Sequence, residues 1–104
     1  MDSETFRSRL LKDQDGPWYF VQVPHAIRSR WRSFERRGFI KVRATVGGSQ
    51  WEATLMPWAD GSAQLVIKKA VREREGLVLG EDLTVTLAPL DRSVTYTARG
   101  VPTT

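Results

Sequence analysis

The chain has 104 residues, with 16 lysines and arginines against 12 acids and a single histidine, for a net charge of +4 and a sequence pI near 10.0. That length makes one domain with a core of modest size; no apolar run approaches the roughly 20 residues that cross a bilayer as a helix, and the polar opening MDSETFRSRL has no secretory character. The lack of cysteine excludes disulfides, thiolate metal sites and a cysteine nucleophile, and fits a reducing, cytoplasmic setting.

In chain order the sequence reads as short strands between turn signals. Residues 5–12 (TFRSRLLK) alternate loosely and predict a strand, and 13–17 (DQDGP) a turn. Residues 18–23 (WYFVQV) are dense in aromatic and β-branched side chains that suit a pleated surface. Pro24 stops that ladder because it has no N–H to donate. From His25 the period changes: Ile27, Trp31 and Phe34 fall at i, i+4 and i+7, one stripe of a helix. The spacing predicts a helix over 25–37, with Gly38 as its C-cap and Arg36 and Arg37 in the last turn, where cations suit the helix dipole.

Residues 39–46 (FIKVRATV) alternate cleanly, with Ile40, Val42, Ala44 and Val46 on one face. Gly47-Gly48-Ser49 reads as a hairpin turn, and 50–56 (QWEATLM) as the return strand, with Trp51, Ala53 and Leu55 on one face. Residues 57–62 (PWADGS) form another turn, 63–67 (AQLVI) a strand, and 68–75 a short helix ended by Gly76. Leu83, Val85 and Leu87 mark a further strand, Val94, Tyr96 and Ala98 a last one, and 100–104 a frayed tail.

One phrase occurs twice. VPHAIR at 23–28 returns forty-four positions later as IKKAVR at 67–72. Each copy runs from a strand into a basic helix, then a glycine, then a strand (IKVRATV; LTVTLAP). A strand–helix–strand unit buries only one face and cannot stand alone, whereas two related by pseudo-symmetry can close a barrel. The fold class is therefore mainly β: a small closed or double-split β-barrel of two pseudo-repeated strand–helix–strand units, capped by short helices, in a single domain spanning 1–104. A monomer containing an internal pseudo-dimer follows.

The second copy, IKKAVREREGLVLGEDLTV, resembles the swapped-hairpin motif of AbrB and MazE type DNA-binding proteins at Ile67, Lys69, Val71, Arg72, Gly76, Leu77, Gly80 and Leu83. Lys68 stands where that motif has proline, and Glu75 where it has an aliphatic residue. A resemblance over nearly the whole chain rests on Phe6 with Leu10, GPWYFVQVP, RATVGGSQWEATLMP, DGSAQLVIKKAVRE and GEDLTVTL. On these residues the chain resembles the bacterial domain-of-unknown-function family number nineteen-oh-five, related to the YdeI/OmpD-associated proteins. That resemblance implies a split barrel related to the AbrB type, and no established reaction, cofactor or partner.

Chemistry-bearing constellations are few. His25 has no partner at metal-ligand spacing and reads as a surface or cap residue. Glu73 and Glu75 are interleaved with Arg72 and Arg74, which suits surface ion pairing. No serine lies in a nucleophile elbow, and Gly47-Gly48 lacks the lysine of a phosphate loop. The chain is therefore expected not to be an enzyme, and no catalytic, metal or cofactor-binding residues are assigned.

Charge is the stronger feature. Between His25 and Arg43 lie Arg28, Arg30, Arg32, Arg36, Arg37, Lys41 and Arg43 against the single acid Glu35, a local charge of +6. With Lys68, Lys69, Arg72 and Arg74 of the second copy they are the candidate anion- or nucleic-acid-binding residues. Against that, the second copy's bases face Glu73, Glu75, Glu81 and Asp82. Four tryptophans complete the inventory: Trp31 and Trp51 carry the phase of core positions, and Trp18 and Trp58 are the candidate ligand-facing aromatics. The expectation is a non-catalytic binding module of unassigned ligand. The alternatives are nucleic-acid binding, an acidic partner, or an enzyme with an unrecognised site. No membrane association is expected.

Overall fold

The computed structural model describes residues 3–90. Seven strands and two short α-helices follow in order: β1 (Glu4–Arg9), β2 (Leu11–Lys12), β3 (Tyr19–Val23), α1 (His25–Arg30), β4 (Ile40–Val46), β5 (Ser49–Pro57), β6 (Ala63–Val66), α2 (Lys69–Glu75) and β7 (Asp82–Pro89). The strand expected around Val94, Tyr96 and Ala98 lies outside the described residues, as does the tail.

All pairings are antiparallel, in the order β1-β7-β4-β5-β6-β3-β2. The ends of that order, β1 and β2, are one bent strand interrupted only at Leu10, so the sheet nearly closes on itself. Leu10 is fully buried at the bend; its N–H donates to the Glu81 carbonyl at 3.0 Å and its carbonyl accepts from Gly80 N–H at 2.9 Å. The expected barrel is therefore present.

The repeated phrase is a structural repeat. Each helix starts the same way: the Pro24 carbonyl accepts from Ile27 and Arg28, and the Lys68 carbonyl from Val71 and Arg72. Ile27 and Val71 are each helix's buried residue. The repeat extends further back than the sequence phrase. β1 and β2 pair with β7 and β3 in turn, and β5 pairs first with β4 and then, through Met56 and Pro57, with β6. The opening strand of each copy thus crosses between two sheets.

The core is the inward side of these strands (Val21, Val23, Val42, Ala44, Leu55, Leu65, Val85 and Leu87), closed over by Ile27 and Trp31 near α1 and by Val71 of α2. Burying each of the valine, leucine and isoleucine side chains among them contributes about 1.5–3 kcal/mol.

The first helix is shorter than its periodicity predicts. α1 ends at Arg30, Trp31 leaves helical geometry, Arg32–Phe34 form one 3-10 turn, and Glu35 is extended. Arg36 and Phe39 then bridge across a tight turn in which Arg37 and Gly38 have φ of 55° and 87°. Gly38 is thus a turn residue rather than a helix cap, and Arg36 and Arg37 lie outside any helix. Register is the cause: β4 must begin with Ile40 opposite Leu55, and seven more helical residues would carry the chain about 10 Å further along the helix axis. The apolar stripe survives, with Ile27 and Trp31 buried and Phe34 packed against the core. The second helix ends as expected. Gly76 is left-handed, and Leu77 N–H reaches back to the Arg72 carbonyl at 2.9 Å, closing the last turn while Leu77 joins the core.

Candidate functional site

Inward positions of β3 and β6 fill the core, so their outward positions should be polar. They are only partly so. Phe20 and Val66 face each other on the outer side, next to Gln64 of β6 and Met56 of β5. Two loops rise beside this apolar strip. One, residues 13–18, joins β2 to β3 and carries Trp18; the other, 58–62, joins β5 to β6 and carries Trp58. Together they wall a cleft of about 740 Å³, within the usual range for small-ligand sites. Trp18 is 57% exposed and Trp58 41% exposed, and the Trp58 ring packs on Phe20 with centroids 6.1 Å apart and planes inclined at 32°. Trp31 is buried and Trp51 is packed against the core.

Both loops are held by their own hydrogen bonds. In the first, Asp13 N–H donates to the Trp18 carbonyl at 2.9 Å, Lys12 Nζ to the Gly16 carbonyl at 3.0 Å, and Asp15 N–H to Asp13 Oδ1 at 3.3 Å. Asp13 Oδ2 and Trp18 Cδ1 lie 3.4 and 3.2 Å from the point a Cβ on Gly16 would occupy. A glycine there lets carboxylate and indole converge. In the second, Trp58 N–H donates to the Ser62 carbonyl at 3.0 Å, and Asp60 Oδ1 accepts from Ser62 N–H at 2.9 Å and from its hydroxyl at 2.6 Å. The Ser62 hydroxyl and N–H hold the Asp60 carboxyl below the usual carboxylate range.

The far side of the Trp58 loop rests on α1. Arg28 Nη1 donates to the Ser62 carbonyl at 2.9 Å, and Arg28 also pairs with Glu35 at 3.4 Å. His25 lies against Gly61, and its Nε2 is 3.3 Å from Ser29 Oγ. A smaller polar hollow of about 240 Å³ opens there, lined by His25, Arg28, Ser29, Arg32, Glu35 and Gly61.

The basic residues are distributed over separate tasks. Arg30 pairs with Glu4, Arg43 with Glu52 across the β4–β5 pair at 3.1 Å, and Lys69 with Glu73 at 3.8 Å. Arg72 donates to the Ile67 carbonyl at 3.2 Å and lies over the Tyr19 ring at 3.8 Å. Arg74 reaches Ser49 Oγ at 3.4 Å. Among the described residues Arg32, Arg36, Arg37, Lys41 and Lys68 have no ion pair. Also among the described residues, no group of three or more His, Asp or Glu side chains is placed to hold a metal ion, and no helix is long and apolar enough to cross a membrane.

Trp18 and Trp58, singled out separately in the sequence, are thus brought to one cleft. Asp13, Asp15, Phe20, Met56 and Val66 were not singled out. The sequence signal for Phe20 and Val66 is the apolar character of WYFVQV and AQLVI at positions of both parities, more than a single inward face needs; Asp13, Asp15 and Met56 carry no such signal.

A family model described as a domain of unknown function (DUF1905) matches residues 6–87. No curated protein matches the chain.

Proposed function

The chain belongs to the DUF1905 family, and from that premise we propose that it is a non-catalytic binding module whose ligand site is the cleft between Trp18 and Trp58. The observation that carries this reading is the cleft itself: an outer apolar floor of buried Phe20 and half-buried Met56 and Val66, flanked by two exposed tryptophans on hydrogen-bonded loops. Large apolar side chains held open to solvent are costly unless something covers them. Both loops are held by internal hydrogen bonds, which lowers the conformational freedom left to lose on binding. The lining contains no histidine, serine or threonine to pair as base and nucleophile.

Nucleic-acid binding is the weaker reading. Arg28, Arg30, Arg43, Lys69 and Arg72 are engaged within the chain, and a phosphate would have to displace those partners, which leaves Arg32, Arg36, Arg37, Lys41 and Lys68 to carry it.

The cleft is tested by following the four indole N–H resonances while a neutral aromatic probe, 4-phenylbutan-1-ol, is titrated in. Trp18 and Trp58 shift, Trp31 and Trp51 do not, and Trp58→Ala weakens binding about tenfold, the effect of losing one aromatic wall. Four unmoved resonances, or unchanged binding in Trp58→Ala, would remove the cleft as the site.

A further inference from the structure

Resting on the cleft reading above, we infer that the ligand is a small cationic amphiphile, an aromatic or alkyl body carrying an ammonium group. The body follows from Phe20, Met56 and Val66 on the floor. The head group follows from the charge at the rim. Although the chain is basic overall, the cleft lining carries Asp13 and Asp15 against one cation, Lys12. Lys12 Nζ donates to the Gly16 carbonyl and lies 6.0 Å from the Tyr19 ring, which is not part of the lining, so the lining carries a formal charge of −1 from two acids and one base.

Neither acid takes part in an ion pair among the described residues. Asp13 uses Oδ1 for the Asp15 N–H, while Oδ2 lies on the Trp18 side of the loop, where carboxylate and indole approach one point beside Gly16. An ammonium entering there meets the Asp13 carboxylate beside the Trp18 indole, so that charge attraction and a cation–π contact can act together. An anionic head would meet two carboxylates against the single ammonium of Lys12.

Three probes of matched body separate the outcomes: 4-phenylbutylamine, 4-phenylbutan-1-ol and 4-phenylbutyrate, titrated against the full chain by calorimetry and followed at the Trp18 and Trp58 indole resonances. The amine binds about fivefold tighter than the alcohol, the sum of one exposed ion pair and one cation–π contact, and the carboxylate binds weakest. In Asp13→Asn/Asp15→Asn the amine loses the ion-pair share, about half of its advantage over the alcohol on a logarithmic scale, and the alcohol is unchanged. Asparagine keeps the Oδ1 acceptor that Asp15 N–H needs, and the unchanged alcohol serves as the check that the loop is intact. Equal binding of all three probes, or a carboxylate that binds as well as the amine, overturns the cationic ligand and leaves the cleft standing. Failure of all three to bind overturns the cleft and this inference with it.

Discussion

Val21 and Leu65 lie directly opposite each other in the β3–β6 pair, and they are also each other's counterparts, forty-four positions apart, in the two copies of the repeat. The pseudo-twofold axis of the barrel therefore passes between them. In β4 and β7 it falls at the directly opposed pair Ala44–Leu87, both fully buried and forty-three positions apart. The offset is one residue shorter there because the connection through α1 is one residue longer than the one through α2, and the inward faces still coincide.

Leu65 is fully buried on that axis. Leu65→Ala should lower the unfolding free energy by about 2–5 kcal/mol, through lost transfer energy plus the cavity left behind. In urea the midpoint should fall with the slope unchanged. A loss below about 0.5 kcal/mol, the range of an ordinary surface substitution, would mean that the axis is not a packed centre.

Gly47 and Gly76 separate two costs of adding a side chain. Both have left-handed φ, 57° and 62°. A Cβ on Gly76 meets nothing within 4 Å, whereas one on Gly47 overlaps the Glu75 carboxylate, which accepts from Gly48 N–H at 3.3 Å and from the buried Ser49 hydroxyl at 2.6 Å. Gly76→Ala should cost only the left-handed penalty, about 1–2 kcal/mol. Gly47→Ala should cost more by denaturant unfolding, and its excess should vanish when both are compared in a Glu75→Ala background.

Arg28 is expected to act through the Trp58 loop. Its side chain is 19% exposed and joins α1 to the Ser62 carbonyl. Arg28→Met leaves Glu35 without its partner and the Ser62 carbonyl with the Trp58 N–H alone, at a cost of about 1–3 kcal/mol, and should move the Trp58 indole resonance. Arg32→Met, at a neighbouring exposed position without an ion pair among the described residues, should stay within about 0.5 kcal/mol. Equal effects of the two substitutions would remove Arg28 from this role.

Asp60 makes the Trp58 loop sensitive to acid. Its carboxyl is held below the ordinary range by the Ser62 hydroxyl and N–H. Its contribution is therefore complete above the ordinary carboxylate pKa and is lost as pH falls through the lowered folded value. The stability difference between the parent chain and Asp60→Asn should be largest near neutrality and close on acidification. A difference independent of pH would show that the hydrogen bonds to Ser62 do not depend on the charge.

The strand order of parities was readable because one-sided burial writes itself every second residue: Ile40, Val42, Ala44 and Val46 alternate in the sequence and are all buried. The exit from α1 was not readable. Ile27, Trp31 and Phe34 keep the same phase whether the backbone stays helical or tightens into a 3-10 turn, so periodicity alone cannot place the helix end. The separate tasks of Arg28, Arg43 and Arg72 were equally invisible, because their partners Ser62, Glu52 and the Tyr19 ring are distant in sequence.

By itself, then, the sequence determined a duplicated small barrel, its inward faces and the pair of tryptophans left over once the core stripes were assigned. Those are local facts, set by alternation, turn chemistry and a phrase repeated at a fixed offset. Only the tertiary structure decided that Trp18 and Trp58 share a cleft, that Phe20 and Val66 form its floor, and that Asp13 and Asp15 stand at its rim. Pairing β3 with β6 brings together loops more than forty residues apart, and no short-range pattern encodes which loops a closed sheet will make neighbours.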